Sequence, residues 1–266
     1  MKISFIGGGV MGEVMLSAIL DKGLSPSQTI SVSDIDAARR RHIEHEYRVA
    51  VMSNNRLAAD KSDVVVLAIK PQSLAEVMAE LSGQLKSNQL VLSIIAGARI
   101  SSLCLGLNHN CVVRAMPNTP AQIGEGISVW TAAADVTEQQ KGWAGSILRT
   151  MGKDIYVDAE KYIDMATAIS GSGPAYVFLF VESLIEAAID IGLPRDMAKE
   201  LVLKTVLGSG HFIQKSDKPL AELRKMVTSP GGTTEAALHK LSQKGFSSLI
   251  LQAVIAAYNR AEELGS

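Results

Sequence analysis

The chain has 266 residues, 47% of them hydrophobic, and a formal net charge of −1. That length fits one large domain or two ordinary ones, and the apolar fraction supplies a sizeable core. The near-neutral balance gives no electrostatic reason to expect nucleic acid or an acidic membrane as partner, and Met1–Ile6 is too short an apolar run for a signal peptide before glycines interrupt it.

In chain order, Lys2–Ile6 reads as a strand and Met11–Leu20 as a helix, with the next strand at Ile30–Ser33 after the turn-forming Ser25-Pro26-Ser27. A charged helix is predicted over Ile35–Tyr47. Val64–Ile69 is apolar throughout and Leu90–Ile95 is apolar but for Ser93, as expected of strands covered on both faces of a parallel sheet. Val112–Ala115, Ile127–Trp130 and Ile155–Val157 are shorter strand candidates. Thr137 and Gln140 have the spacing of a capping box that opens a helix to about Thr150. Alternating β and α segments with buried strands predict an α/β fold with a Rossmann-type doubly wound sheet in the N-terminal part.

From about Glu160 onward helical periodicity takes over. It is broken at Gly171-Ser172-Gly173-Pro174, Gly192-Leu193-Pro194, Ser216–Pro219 and Ser229–Gly232. The expected division is therefore residues 1–160 as a dinucleotide-binding domain and 161–266 as an all-α domain. Several of these helices are apolar over more than one face, which predicts a subunit interface. Ala175–Ile191 is the longest apolar region, but Glu182, Glu186 and Asp190 make it a poor membrane span. Cys104 and Cys111 read as free thiols of a reducing cytoplasm, and neither they nor the five histidines form a metal-binding spacing.

Gly7-Gly8-Gly9-Val10-Met11-Gly12 has the spacing G-x-G-x-x-G between a strand and a helix, the context that makes this spacing informative. The first glycine permits a tight turn, the second admits the pyrophosphate to the backbone, and the third allows close helix–strand packing. The ligand expected is a nicotinamide dinucleotide. Asp34 stands where an acid accepts the ribose 2′-hydroxyl of NADH, whereas Arg39, Arg40 and Arg41 could neutralise the 2′-phosphate of NADPH, so the choice between NADPH and NADH stays open. Ala68-Ile69-Lys70-Pro71-Gln72 and Ile95-Ala96-Gly97 follow buried strands at the edge where such ligands sit. A second turn, Thr228-Ser229-Pro230-Gly231-Gly232-Thr233-Thr234, precedes a helix with Glu235 in its first turn and makes a candidate anion site for a carboxylate.

Five segments, Phe5–Gly9, Ala68–Gln72, Arg114–Ala121, Ser170–Tyr176 and Thr228–Thr234, recur in order and spacing in a known family, and the chain resembles pyrroline-5-carboxylate reductase along nearly its whole length. The resemblance implies hydride transfer from NADPH or NADH to the C=N carbon of 1-pyrroline-5-carboxylate, giving L-proline. It further implies a helical domain that forms a homodimer, with dimers commonly assembling into decamers. By the same resemblance Ile6, Gly7, Gly8, Gly9, Val10 and Met11 bind the cofactor phosphates, and Asn55 meets the adenosine end. Ala68, Ile69, Lys70, Pro71, Ala96 and Gly97 line the nicotinamide half. Ser229, Gly232, Thr233 and Thr234 hold substrate, with Thr234 assigned to the ring nitrogen and N–H groups near Gly232 to Thr234 assigned to the carboxylate. Glu160 matches an acidic position near the ring nitrogen. Family members often carry an acid three residues before the Thr-Ser-Pro-Gly-Gly core, where this chain has Lys225. Rival readings are another imine reductase of similar architecture, a dinucleotide-responsive binding protein without turnover, which need not keep Thr228–Thr234, and a β-hydroxyacid dehydrogenase, which would usually offer a lysine on the first interdomain helix, where Ala175–Asp190 has none.

Overall fold

The computed structural model describes residues 1–265 and divides into two compact units. The first comprises Met1–Ser172 together with the chain from Ala257 onward. Its elements are β1 (Ile3–Ile6), α1 (Val10–Asp21), β2 (Ile30–Ser33), α2 (Ala37–Tyr47), β3 (Ala50–Met52), α3 (Asn55–Ala59) and β4 (Val64–Leu67). They continue with α4 (Leu74–Leu81), β5 (Leu90–Ser93), α5 (Ile100–Leu107), β6 (Val112–Met116), β7 (Gly126–Ala132), α6 (Glu138–Arg149), β8 (Gly152–Tyr156) and α7 (Lys161–Ala166).

The eight strands form one sheet in the order β3-β2-β1-β4-β5-β6-β7-β8. The strands from β3 to β6 run parallel, and β7 is antiparallel to β6 but parallel to β8. Strand alternation divides the core into two layers. Ile3, Phe5, Val64, Val66, Leu90 and Leu92 pack with Met15, Leu16, Ile19, Ile43, Ile147 and Leu148 on one face. Val65, Leu67, Val91 and Val112 pack with Ala58, Val77, Leu81, Leu103 and Leu107 on the other. Helices thus cover both faces, which is the doubly wound arrangement expected.

Two short elements lie outside the sequence expectations. β3 has only three residues at the sheet edge, with Ala50 exposed, so it carries no run of apolar residues to read. α3 is five residues long and is set by Asn54, whose side chain accepts the N–H of Leu57 at 3.0 Å. The predicted capping box at Thr137 and Gln140 forms, with both reciprocal bonds. Where a break was expected at Gly171–Pro174 the chain instead makes a π turn over Thr167–Gly171, and a new helix opens at Gly173 with Pro174 in its first turn. The first unit consequently runs past residue 160, because α7 carries Asp164, 5% exposed, to the buried Arg114 of β6.

The second unit, Gly173–Ala256, is helical. It contains α8 (Gly173–Asp190), α9 (Arg195–Lys215), α10 (Leu220–Met226), α11 (Thr233–Gln243) and most of α12 (Phe246–Leu264). α8 and α9 lie against each other. Phe178, Leu179, Leu249 and Leu251 are 60–65% exposed on the single chain. By length and composition alone, the helical run Lys161–Asp190 is apolar enough to cross a membrane, despite the charges at Glu182, Glu186 and Asp190.

Candidate functional site

The parallel register brings the C-terminal ends of four strands to one edge of the sheet. Ile6 pairs with Ser33 of β2 and Leu67 of β4, and Leu67 pairs with Ser93 of β5. The segments that follow these residues therefore gather around the glycine turn. Gly7 adopts φ +98°, and a Cβ there would lie 2.6 Å from the Ala68 carbonyl oxygen, so only glycine fits. Gly12 is as constrained, since its Cβ would meet the Gly7 carbonyl at 2.5 Å. Gly9 has nothing within 4 Å of its Cβ direction and opens α1 without a side-chain cap. The first N–H groups of α1 therefore meet open space at a positive helix end, which fits a dinucleotide pyrophosphate.

Neighbouring side chains fix this edge. Asp34 accepts the Gly8 N–H at 2.8 Å through Oδ2 and the Asp36 N–H at 2.8 Å through Oδ1. Asn55 accepts the Ser33 hydroxyl at 2.7 Å and donates to Glu80 at 2.6 Å, so its amide orientation is set. Arg39 donates to the Gly8 carbonyl and to Glu13, while Arg40 donates to the carbonyls of Asp34 (2.7 Å) and Ile35 (3.0 Å). Glu13 also takes hydrogen bonds at His42 (2.7 Å) and from Tyr47 (3.0 Å). Burial pushes the Glu13 carboxyl up, but the bonds to His42, Arg39 and Tyr47 outweigh it and hold the group below the usual carboxylate range.

Ile6 lies beneath the turn in the core, 1% exposed, and its carbonyl accepts the Ala68 N–H at 2.9 Å. Val10 is 65% exposed and Met11 half-buried. Lys70 is exposed, with the extended backbone that Pro71 imposes. Ala96 and Gly97 follow β5, and Gly97 is tightly held. At φ +77° its Cβ would lie 2.5 Å from the Leu264 carbonyl, and Arg99 Nε donates to the Gly265 carbonyl at 2.6 Å. The last turn of α12 is thus seated on the β5–α5 turn, a contact nothing in the sequence pattern announces.

One oxygen of Glu160 belongs to a different network. Its Oε1 accepts from Arg114 NH1 at 2.8 Å and from the Ile100 N–H at 2.9 Å, and Arg114 NH2 donates to Asp164 at 2.6 Å. Arg114, 2% exposed, is held by two carboxylates. The available signal was an arginine inside an otherwise apolar strand, which needs a buried partner. Asn118 accepts the Ile127 N–H at 2.9 Å and ties the β6–β7 connection.

In the helical unit, Gly231 takes φ +69°, and a Cβ on Gly232 would lie 2.5 Å from Ser229 Oγ. The expectation that N–H groups stand free from Gly232 onward needs correction. Gly232 N–H donates to the Ser229 carbonyl at 3.0 Å, and Gly231 N–H donates to Glu235 Oε2 at 2.8 Å, because the Gly-Gly turn folds back on itself. The donors that helix geometry leaves for a ligand are those of Thr233 and Thr234, which open α11. Ser229 and Thr233 are exposed and Thr234 is half-buried. Both cysteines are free, and among the described residues no group of three or more His, Cys, Asp or Glu is placed to hold a metal ion.

Two family models match the chain. Residues 160–264 match pyrroline-5-carboxylate reductase dimerisation. Residues 2–97 match NADP oxidoreductase, coenzyme F420-dependent. The chain is similar to the pyrroline-5-carboxylate reductases of Synechocystis sp., at 40% identity over 99% of this chain and 98% of that protein, and of Pseudomonas aeruginosa, at 41% over 99% and 96%. Among solved structures, it is similar to a pyrroline-5-carboxylate reductase from Coxiella burnetii, with 37% identity, a TM-score of 0.90 and coverage of 100% and 98%. It is also similar to a Plasmodium falciparum pyrroline carboxylate reductase with NADP bound, with 33% identity, a TM-score of 0.91 and the same coverage.

Proposed function

The chain belongs to the pyrroline-5-carboxylate reductase family, and we propose that its two glycine turns serve the two halves of one reaction, the reduction of 1-pyrroline-5-carboxylate to L-proline with NADPH or NADH. The observation that carries this reading is the Ser229–Thr234 turn. A module that merely bound a dinucleotide would need the first glycine turn and not the second. When bound, the cofactor supplies a hydride to the C=N carbon.

Gly7, Gly8, Gly9, Val10 and Met11 hold the cofactor phosphates, with the Ile6 strand end as their support. Asp34 and Asn55 hold the adenosine end. Ala68, Ile69, Lys70, Pro71, Ala96 and Gly97 line the nicotinamide half. Thr233 and Thr234 present backbone N–H groups to the substrate carboxylate, Ser229 adds a hydroxyl, and Gly232 keeps the backbone close enough for the turn to form. The Thr234 hydroxyl hydrogen-bonds the ring nitrogen, which is protonated before transfer, since a cationic imine carbon is the better hydride acceptor. The residues thus act by position and electrostatics, and no strong acid is required. Glu160, assigned by resemblance to the substrate side, acts there through Oε2, because Oε1 is already shared by Arg114 and Ile100.

We propose further that the working unit is a homodimer in the cytoplasm. The exposed apolar residues of α8 and α12 support a partner face, and the free thiols support a reducing compartment. On this reading the apolar run Lys161–Asp190 is covered by protein and no membrane or nucleic acid is involved. Sedimentation of the purified chain distinguishes a dimer from the decamer that the resemblance implies. Absorbance of each reduced cofactor, followed with pyrroline-5-carboxylate and in reverse with excess proline, tests the reaction. Turnover is expected in the forward direction, and its absence with both cofactors in both directions would sink the reading.

A further inference from the structure

Resting on the reductase reading, we infer that this chain selects NADH over NADPH, and that Asp34 makes the selection. Asp34 follows β2 directly, and its carboxylate is gripped by two backbone donors, Gly8 N–H and Asp36 N–H, each at 2.8 Å. An acid at this position accepts the ribose 2′-hydroxyl. Held on both oxygens, it cannot swing away when a phosphate replaces that hydroxyl.

Two of the three arginines that could meet a 2′-phosphate, Arg39 and Arg40, already have partners. Arg39 is bound to the Gly8 carbonyl and to Glu13, and withdrawing it would strip Glu13 of the cation nearest to it. Arg40 is bound to the carbonyls of Asp34 and Ile35. At the start of α2, Asp36 takes up one first-turn donor by accepting the Ala38 N–H at 2.8 Å. Glu13 takes up the charge of Arg39, so a phosphate here would meet the carboxylates of Asp34 and Asp36, with Arg40 turned onto backbone carbonyls. Arg41 is exposed and has no part in this network. The preference separates this chain from a relative that holds NADP.

Binding tests the inference without turnover. The full chain is titrated with NADH and with NADPH, following nicotinamide fluorescence in the absence of substrate. NADH should bind at least about tenfold more tightly, the scale of one carboxylate–phosphate repulsion in a partly solvated site. AMP should displace bound NADH better than adenosine 2′,5′-bisphosphate does, which locates the discrimination at the 2′ position and needs no variant. Asp34→Ser and the closer Asp34→Asn, checked for folding by melting temperature, should bring the two affinities to within about threefold. NADPH binding as tight as NADH in the unaltered chain would overturn the selection and leave the reductase reading standing. Binding of neither dinucleotide would overturn both. A preference that survives in folded Asp34→Asn and Asp34→Ser would overturn the role of Asp34.

Discussion

The sheet unit and the helical unit use similar apolar side chains to opposite effect. In the sheet unit Phe5, Met15, Val66, Leu92 and Ile147 are fully enclosed by their own chain, and Arg114, taken inside, brings its acids with it. In the helical unit Phe178, Leu179, Leu249 and Leu251 stay more than half exposed on the single chain. A parallel sheet with helices on both faces closes its core locally, strand by helix. A set of helices that are apolar over more than one face cannot do so without a partner. The difference makes a claim about energetics. The stability of the first unit should be independent of protein concentration, and that of the second should depend on it.

The largest effect is expected from Arg114→Met. It leaves the carboxylates of Glu160 and Asp164 without their buried cation, which costs about 3–5 kcal/mol. For a unit of this size that lowers the melting temperature by roughly 10 °C. The loss should be the same at low and high protein concentration, and a loss that grows on dilution would break the comparison from the sheet side. Next comes Leu249→Asp, which places a charge on the proposed partner face. With about 3 kcal/mol lost in desolvation, dimer dissociation measured by sedimentation should strengthen at least about a hundredfold. An unchanged dissociation constant would show that α12 does not meet the partner. Thr234→Ala should touch neither stability nor assembly. It should lower kcat/KM by about one to two orders of magnitude, the scale of one hydrogen bond to the reacting group. Full activity in that variant would remove Thr234 from the ring nitrogen.

What could be read from the sequence follows the same division. Val64–Leu67 and Leu90–Ser93 were plain because a strand buried on both faces is apolar at nearly every position, Ser93 being the exception in these two. The steric demands at Gly7 and Gly12 were plain because the spacing of the turn leaves no room for a side chain. β3 was not, since an edge strand of three residues needs no pattern. The wiring of the site was less legible still. That Arg39 answers Glu13, and Arg114 answers Glu160 and Asp164, depends on residues brought together across 26, 46 and 50 positions. That the Gly232 N–H is consumed inside its own turn, and the Gly231 N–H by the Glu235 side chain of α11, is a matter of local geometry, and composition is silent about it.

The smallest expected effect sharpens the comparison most cleanly. Burial, and then the hydrogen bond that Tyr47 donates to Glu13, push the Tyr47 hydroxyl from its ordinary 10.0 up to about 12. The folded chain therefore keeps this proton where the unfolded chain gives it up. The resulting stabilisation is complete below pH 10 and is lost as pH rises through about 12. Tyr47→Phe has no proton to lose, so its denaturation midpoint in urea should fall less steeply over that window than that of the unaltered chain. Because Tyr47 is partly solvated, the difference should be modest. Since the whole network of Glu13, Arg39, His42 and Tyr47 lies within the sheet unit, the difference should also be identical at two protein concentrations. A wild-type curve parallel to that of Tyr47→Phe would mean that the hydrogen bond to Glu13 does not hold the proton. A difference that changes on dilution would mean that the sheet unit borrows stability from the partner, and the contrast between the two units would fail at its simpler end.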